Sequence, residues 1–190
     1  KLFRKVKNKK TMELPASIGL IFAHKRQTTI DREAIKELES FAKQALTRAD
    51  LTALIAGARA CMLTGNLTLG RQIAKRAGQR PDGVVACSAL SGWLEMHRPT
   101  GPDLESANGH FSKAIAAAPD ASHKSLDAML GRLEYFKRKG QYAKALDVAD
   151  EIIILFEWFK PRYTIKAQLL VLASEWEQAV ETAQRALSSN

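Results

Sequence analysis

A set of turn, aromatic and small residues recurs in this chain after 34 positions. The matching positions are Gly140 with Ser174, Tyr142 with Trp176, Ala145 with Ala179, Ala149 with Ala183 and Ile152 with Ala186. A 34-residue period with a turn residue, an aromatic two positions later and small residues beyond it is typical of the tetratricopeptide repeat. Each such repeat is a pair of antiparallel helices. The small residues let two helix backbones approach closely where the pair crosses.

The pattern extends less regularly over the rest of the chain. Gly65 marks an earlier turn, and Ala107 and Phe111 keep the spacing of a second helix behind a longer loop at 98–103. No stretch alternates polar and apolar residues with the period of two that strands require. We therefore predict an all-α fold, a tetratricopeptide repeat right-handed superhelical solenoid of antiparallel helix pairs, in which each repeat packs on its neighbours.

Residues 1–190 are expected to form a single tetratricopeptide repeat solenoid fragment. Residues 1–10 would be the tail of a preceding helix, and about five helix pairs would follow it. The first pair would join residues 18–23 to a second helix over 31–46, with Ile35, Leu38, Phe41 and Ala42 on one apolar face.

The repeat register also predicts turns, caps and buried positions. Turns are expected near Gly65, Gly140 and Ser174, with Ala145 and Ala179 buried between crossing helices. Ser174 followed three residues later by Glu177 predicts a capping box at a helix start. The three tryptophans are expected to pack in the core or between repeats; they are Trp93, Trp158 and Trp176.

The net charge of the chain is concentrated at one end. The formal net charge is +9, and six of the 29 basic side chains lie within residues 1–10, where there is no acid. The remaining 23 basic side chains are nearly balanced by 20 acidic ones. Aromatic residues are not interleaved with the basic ones as they are on surfaces that stack bases. We predict no nucleic-acid partner, and no direct membrane insertion, since no apolar run reaches the ~20 residues that cross a bilayer.

The reactive residues form no known catalytic or metal-binding arrangement. Cys61 and Cys87 lie among small and apolar residues and are predicted to be buried free thiols. No pair of histidines has the i, i+4 spacing of a metal site, and there is no phosphate-binding loop or nucleophile elbow. We predict a protein that is not an enzyme and uses no metal, cofactor or small-molecule substrate.

The outward side chains of the first helices are the candidates for partner binding. In a repeat of this type the first helices are expected to line the concave face, where a peptide or helix can dock. The register from the three turns places five polar residues there: Arg59, Glu134, Lys137, Arg138 and Gln168.

The residue pattern alone leaves three functions open. The first is a protein–protein interaction scaffold. The second is a peptide-binding co-chaperone or adaptor module, which would need Lys, Arg and Asn converging on a peptide carboxylate; Lys137 and Arg138 supply only part of that set. The third is a helical appendage of an enzyme.

Several segments carry a closer resemblance. Residues 20–25 (LIFAHK), 31–35 (DREAI), 92–94 (GWL) and 176–185 (WEQAVETAQR) occur in the order found near the N-terminus of the tetratricopeptide repeat protein 21 family, which this chain resembles over nearly its whole length. That family is also called intraflagellar transport protein 139.

The resemblance implies a large scaffold subunit of intraflagellar transport complex A, without catalytic residues. Such a subunit acts in retrograde transport and cilium assembly. Its partners would be the other subunits of that complex, and its location the cilium or flagellum and its base, on the cytoplasmic side.

Overall fold

The structure is a computed structural model that describes residues 32–47, 50–80, 83–98, 100–118, 120 and 124–188. These ranges hold nine α-helices and no strand, which confirms the predicted all-α class for the described residues. The helices are α1 Arg32–Thr47, α2 Leu51–Thr64, α3 Leu67–Gly78, α4 Val84–Met96, α5 Leu104–Ala116, α6 Leu126–Arg138, α7 Tyr142–Leu155, α8 Arg162–Leu172 and α9 Trp176–Ser188.

The chain divides into two compact units. The first unit is Lys1–Asp103, with α1 to α4, and the second is Leu104–Asn190, with α5 to α9. In both units each helix packs against the next in sequence, as a helical repeat requires. The predicted helix tail at 1–10 and the predicted helix at 18–23 lie outside the described residues.

Two helices of the first unit, α2 and α3, begin with polar caps. The Asp50 carboxylate accepts a hydrogen bond from the Ala53 backbone N–H at 2.9 Å, and the Asn66 side chain accepts one from Leu69 at 3.3 Å. Each cap satisfies an N–H group that has no partner within its helix. Together they set the start of α2 and α3, and Gly65 turns the chain between these two helices.

The apolar face predicted for α1 is part of the core of the first unit. Leu38, Phe41 and Ala42 are buried there, and Ile35 is half-buried. Leu38, Phe41 and Ala42 share a cluster with apolar residues of α2, α3 and α4. Besides adjacent helices, α1 contacts α3 and α2 contacts α4, which is the stacking of alternate helices that a repeat produces.

The second unit has its own core, in which α7 is packed between α6 and α8. Ala145 is 0% exposed within it, and Ala179 on α9 is also buried, as predicted for the positions where paired helices cross. Gly131 on α6 lies against the fully buried ring of Phe111 on α5. Small residues therefore lie where helices of this unit pack together.

The three predicted turns have left-handed backbone. Gly65, Gly140 and Ser174 have φ angles of 75°, 69° and 64°. At the second turn the Gln141 N–H donates to the Phe136 carbonyl at 2.9 Å, and at the third the Glu175 N–H donates to Leu170 at 2.9 Å. This six-to-one hydrogen bond defines the Schellman motif at a helix C-terminus. Ser174 therefore ends α8, and the predicted capping box, in which it would begin α9, is wrong.

Ser174 occupies a position that favours glycine, and this predicts opposite effects at the two matching turns. A non-glycine residue in the left-handed region carries steric strain. We expect Ser174→Gly to raise the free energy of unfolding of the second unit by about 1 kcal/mol, and Gly140→Ser to lower it by a similar amount. Chemical denaturation followed by circular dichroism measures both, and a loss of stability in Ser174→Gly would contradict this interpretation of the turn.

The tryptophan prediction is wrong for two of the three residues. Trp158 is 70% exposed, in the loop between α7 and α8, where its ring meets those of Phe156 and Phe159 edge-on. Trp176 is 61% exposed on α9. Trp93 is half-buried. The physical reason at Trp176 is that no described helix lies over its side of α9, whereas α8 packs on the helix that carries the matching Tyr142.

Both cysteines are free thiols, as predicted, but only Cys61 is buried and Cys87 is half-buried. Burial, with a smaller contribution from the charge of Glu39, raises the pKa of the Cys61 thiol to about 12. A thiol with so high a pKa is almost entirely protonated at neutral pH and is a poor nucleophile. Cys61 therefore acts as a small core residue of the first unit.

Candidate partner-binding surface

Three of the five predicted partner-binding residues form one cluster near the end of α6. The Arg138 Nε atom donates to Glu134 Oε1 at 2.9 Å, and the Lys137 Nζ atom binds Glu134 Oε2. The spacings of three and four residues place all three side chains on one side of the helix. Burial of Glu134 opposes its ionisation, but the hydrogen bonds and charges of Lys137 and Arg138 outweigh burial and lower the pKa of Glu134. Glu134 is therefore ionised at neutral pH.

The next basic residue along the chain is engaged elsewhere. Lys139 Nζ binds Glu105 Oε1 of α5 at 3.1 Å, and the Tyr135 hydroxyl donates to Glu105 Oε2 at 3.1 Å. Burial, together with the hydrogen bond to Glu105, raises the pKa of Tyr135, so its hydroxyl remains a donor. This second network joins α5 to α6 and holds the helix that carries the Glu134 cluster.

The other two predicted residues are not part of that cluster. Gln168 lies exposed on α8, 34 positions after Glu134 and thus at the matching place on the next first helix. Arg59 is half-buried on α2 in the first unit. The structure thus brings together Glu134, Lys137 and Arg138, and it places Gln168 and Arg59 on separate helices.

Two exposed apolar residues at matching register positions on α8 were not among the predicted contacts. Val171 and Leu172 of α8 are 46% and 48% exposed, and they match Lys137 and Arg138 in the 34-residue register. Apolar residues at helical spacing are ordinarily assigned to a core, so the apolar pattern concealed them. The 34-residue register could have identified them, because it matches them to Lys137 and Arg138, which are predicted to point outward from α6. We call Glu134, Lys137 and Arg138 of α6, together with Val171 and Leu172 of α8, the α6–α8 surface; it is charged on α6 and apolar on α8.

The pairing of Glu134 determines what this surface can bind. A peptide carboxylate that approached Lys137 or Arg138 would compete with a carboxylate already bound to both. The arrangement therefore differs from the open basic clamp that the co-chaperone alternative requires. It suits a protein surface that covers Val171 and Leu172 and meets the charged cluster at its edge, since exposed charges mainly orient the partner and steer its approach.

A shallow cleft in the first unit contains two more cations, Arg71 and Arg98. Glu95 binds both, with Arg71 Nη2 at 2.9 Å and Arg98 Nη1 at 3.5 Å, and Asp103 lies 3.4 Å from Arg98. These pairs join α3, α4 and the following loop. Both guanidinium groups are thus bound within their own unit, and the cleft is a weaker candidate than the α6–α8 surface.

The described ranges contain no group of three His, Cys, Asp or Glu side chains placed to hold a metal ion. Within the same part of the chain, no helix combines the length and the apolar character needed to cross a bilayer.

Comparison with known proteins shows which family the sequence of this chain matches. Residues 1–180 match the family model described as Tetratricopeptide repeat protein 21 N-terminal ARM repeat. That description names the armadillo type of repeat, which like the tetratricopeptide type stacks helices into a solenoid.

Three named relatives match almost all of this chain. Tetratricopeptide repeat protein 21B of Xenopus laevis is 30% identical over 186 residues, which is 96% of this chain and 14% of that protein. Its human counterpart is 30% identical over 97% of the chain and 14% of its own length, and human tetratricopeptide repeat protein 21A is 28% identical over 94% and 13%. This chain thus spans about one-seventh of the length of these relatives. The match to the family model over residues 1–180 shows that the chain belongs to the tetratricopeptide repeat protein 21 family.

Proposed function

We propose that this chain is part of a scaffold subunit of intraflagellar transport complex A, acting in retrograde transport and cilium assembly. The observation that carries the proposal is the family match over residues 1–180, together with a helical repeat fold suited to protein binding. Its partners would be other subunits of that complex, in the cilium or flagellum and at its base, on the cytoplasmic side. In this proposal the chain binds proteins and performs no catalysis.

In this proposal the α6–α8 surface of the second unit supplies the contacts. Val171 and Leu172 are apolar side chains in water, and covering them would give a partner most of its affinity. Lys137 and Arg138 would orient a partner of suitable charge and raise its association rate. Arg59 in the first unit is proposed as a separate contact.

A pull-down from ciliated-cell lysate tests the proposal. The chain would be compared with a triple charge reversal, Arg59→Glu, Lys137→Glu and Arg138→Glu, and with the apolar variant Val171→Ser, Leu172→Ser. We expect each variant to recover complex A subunits roughly tenfold less well than the parent. The apolar variant loses side chains that the partner would cover, and such side chains cost ~2 kcal/mol or more where they are interface hot spots. The reversal places like charges opposite each other, which costs several kcal/mol.

The matched control reverses three exposed basic residues on the other helices of the pairs, Lys75, Arg76 and Lys113, to glutamate. It changes the net charge by the same amount and should bind like the parent. Circular dichroism would show that all variants stay folded. Equal recovery by the reversal, the apolar variant and the parent would exclude this surface. If the parent itself recovered chaperones or RNA in place of complex A subunits, the proposed function would be wrong.

A further inference from the structure

The shallow cleft of the first unit is lined by side chains that donate hydrogen bonds. It has a volume of about 320 Å³, and its polar lining consists of two guanidinium groups, two hydroxyl groups and one carboxamide. These belong to Arg71, Arg98, Thr68, Thr100 and Asn66. No carboxylate is among the described residues that line the cleft. A wall of this composition suits a ligand that carries several anionic oxygens.

The two arginines of the cleft are held by carboxylates that are not part of its lining. Glu95 Oε1 accepts hydrogen bonds from Arg71 Nε and Nη2 at 3.2 and 2.9 Å, and Glu95 Oε2 lies 3.5 Å from Arg98 Nη1. Asp103 Oδ2 also meets Arg98 at Nη1, at 3.4 Å. The side chain of Glu95 is only 13% exposed. Both guanidinium groups are therefore held in position before a ligand binds, which lowers the entropy cost of binding.

Each guanidinium group has donors beyond those that its carboxylate partners use. A guanidinium group carries five N–H donors in a planar fork. Arg71 binds Glu95 through Nε and Nη2, and Arg98 binds Glu95 and Asp103 through Nη1 alone. A ligand can therefore bind Arg71 at Nη1 and Arg98 along the edge formed by Nε and Nη2. The Glu134 cluster differs, because Lys137 has one ammonium nitrogen and Glu134 already binds it.

We propose that this cleft binds a phosphate monoester. The terminal oxygens of such a group accept hydrogen bonds from several directions, and a guanidinium edge binds two of them at once. The hydroxyl groups of Thr68 and Thr100 can donate to the same group. The volume is at the lower end of the range for ligand sites, which suits a small ligand or one group of a larger one. Two sources carry this chemistry: a phosphorylated serine or threonine side chain of a protein, and a small phosphorylated metabolite. The proposal is independent of the proposed function.

Titration followed by NMR of the arginine Nε–Hε groups tests the proposal at the site itself. The probes are phosphothreonine with both ends blocked as amides, glycerol 3-phosphate and acetate, each added to the 190-residue chain at fixed ionic strength. We expect both phosphate monoesters to shift the Arg98 Nε–Hε signal saturably, with a Kd of about 1 mM or lower, and acetate to bind roughly tenfold more weakly. Because the signal belongs to one residue, anions bound to the basic residues 1–10 do not contribute to it. Tighter binding of the blocked phosphothreonine than of glycerol 3-phosphate would support the site with a protein as the source. Equal binding of these two would support it with the phosphate group alone as the recognised feature.

Substitutions on α3 separate this site from a general attraction of anions. Arg71→Gln should weaken the binding of glycerol 3-phosphate roughly tenfold, because it removes hydrogen bonds to a charged group. Thr68→Val removes one donor at an exposed position and should weaken binding severalfold, and it serves as the test if Arg71→Gln disturbs the fold. The matched control is Arg76→Gln, which removes the same charge from an exposed position on the same helix and should bind like the parent. Absence of a saturable shift, equal binding of acetate and the phosphate monoesters, or equal weakening by Arg71→Gln and Arg76→Gln would overturn the proposal.

Discussion

Replacing Ala145 with arginine should lower the free energy of unfolding of the second unit by about 3–4 kcal/mol. The Ala145 side chain is 0% exposed and lies in the core formed by α6, α7 and α8. An arginine there must either force α7 away from the helices that it packs against or bury a charge without a partner. Either outcome removes apolar contacts from both sides of α7. Urea denaturation followed by circular dichroism would measure the loss.

The matched control for this substitution is Ala143→Arg. Ala143 lies two residues earlier on the same helix and is exposed. Arginine at this position stays in water, so stability should change by less than about 0.5 kcal/mol. If Ala145→Arg unfolds at the same urea concentration as Ala143→Arg, the register that places Ala145 at the helix crossing is wrong.

Two glycine-to-alanine substitutions should act in opposite directions. A Cβ added at Gly131 would lie 2.2 Å from the nearest ring carbon of Phe111, a side chain that is fully buried. We expect Gly131→Ala to destabilise the second unit by about 2 kcal/mol despite its better helix propensity. Gly109 on α5 meets nothing within 4 Å of the added atom. Gly109→Ala should therefore stabilise by up to ~1 kcal/mol.

A double-mutant cycle separates the steric clash between residue 131 and Phe111 from the effect of alanine's higher helix propensity. Phe111→Leu alone should destabilise, since it leaves a space in the core. In the double variant with Gly131→Ala, the smaller side chain at position 111 makes room for the added methyl group. The loss of stability in the double variant should therefore be smaller than the sum of the two single losses by ~1 kcal/mol or more. Strict additivity would show that Gly131 and Phe111 do not limit the approach of α5 and α6.

The fold was largely predictable because its signals are local and repeated. The turns at Gly140 and Ser174 and the buried alanines follow from one 34-residue period, and the turn at Gly65 follows from a less regular copy of the same pattern. The structure has each of them in its expected place. The failure at Ser174 concerns its role. Serine followed by glutamate three positions later is a pattern for starting a helix, but here the backbone at Ser174 is left-handed and the hydrogen bonds close the preceding helix.

Burial of the tryptophans was not predictable from the same signals. A side chain at a helix surface is covered only if another element lies over it, and that element is not encoded at the residue itself. Tyr142 and Trp176 hold equivalent positions in the repeat, yet Tyr142 is half-buried and Trp176 is 61% exposed. Periodicity gives the face of a helix and leaves its neighbour undetermined.

The candidate surface was predictable in its charged half. The spacing of Glu134, Lys137 and Arg138 indicates their ion pairs directly, since side chains three and four residues apart meet on a helix. Val171 and Leu172 were missed because an apolar residue near a helix end looks the same whether it faces a core or a partner. Only the exposed fraction of the side chain distinguishes the two cases, and that fraction is known only once the fold is known.

The stacking of helices that are adjacent or alternate in the chain has a kinetic consequence. The extensive helix contacts of each unit join helices that are one or two elements apart in sequence. Chains whose contacts are this local close short loops as they fold, and their folding times are on the order of microseconds to milliseconds. Any turn of such an array can begin the process, and the helices beside it can then add one after another. A polypeptide of this design can therefore acquire its stacked helices progressively during synthesis.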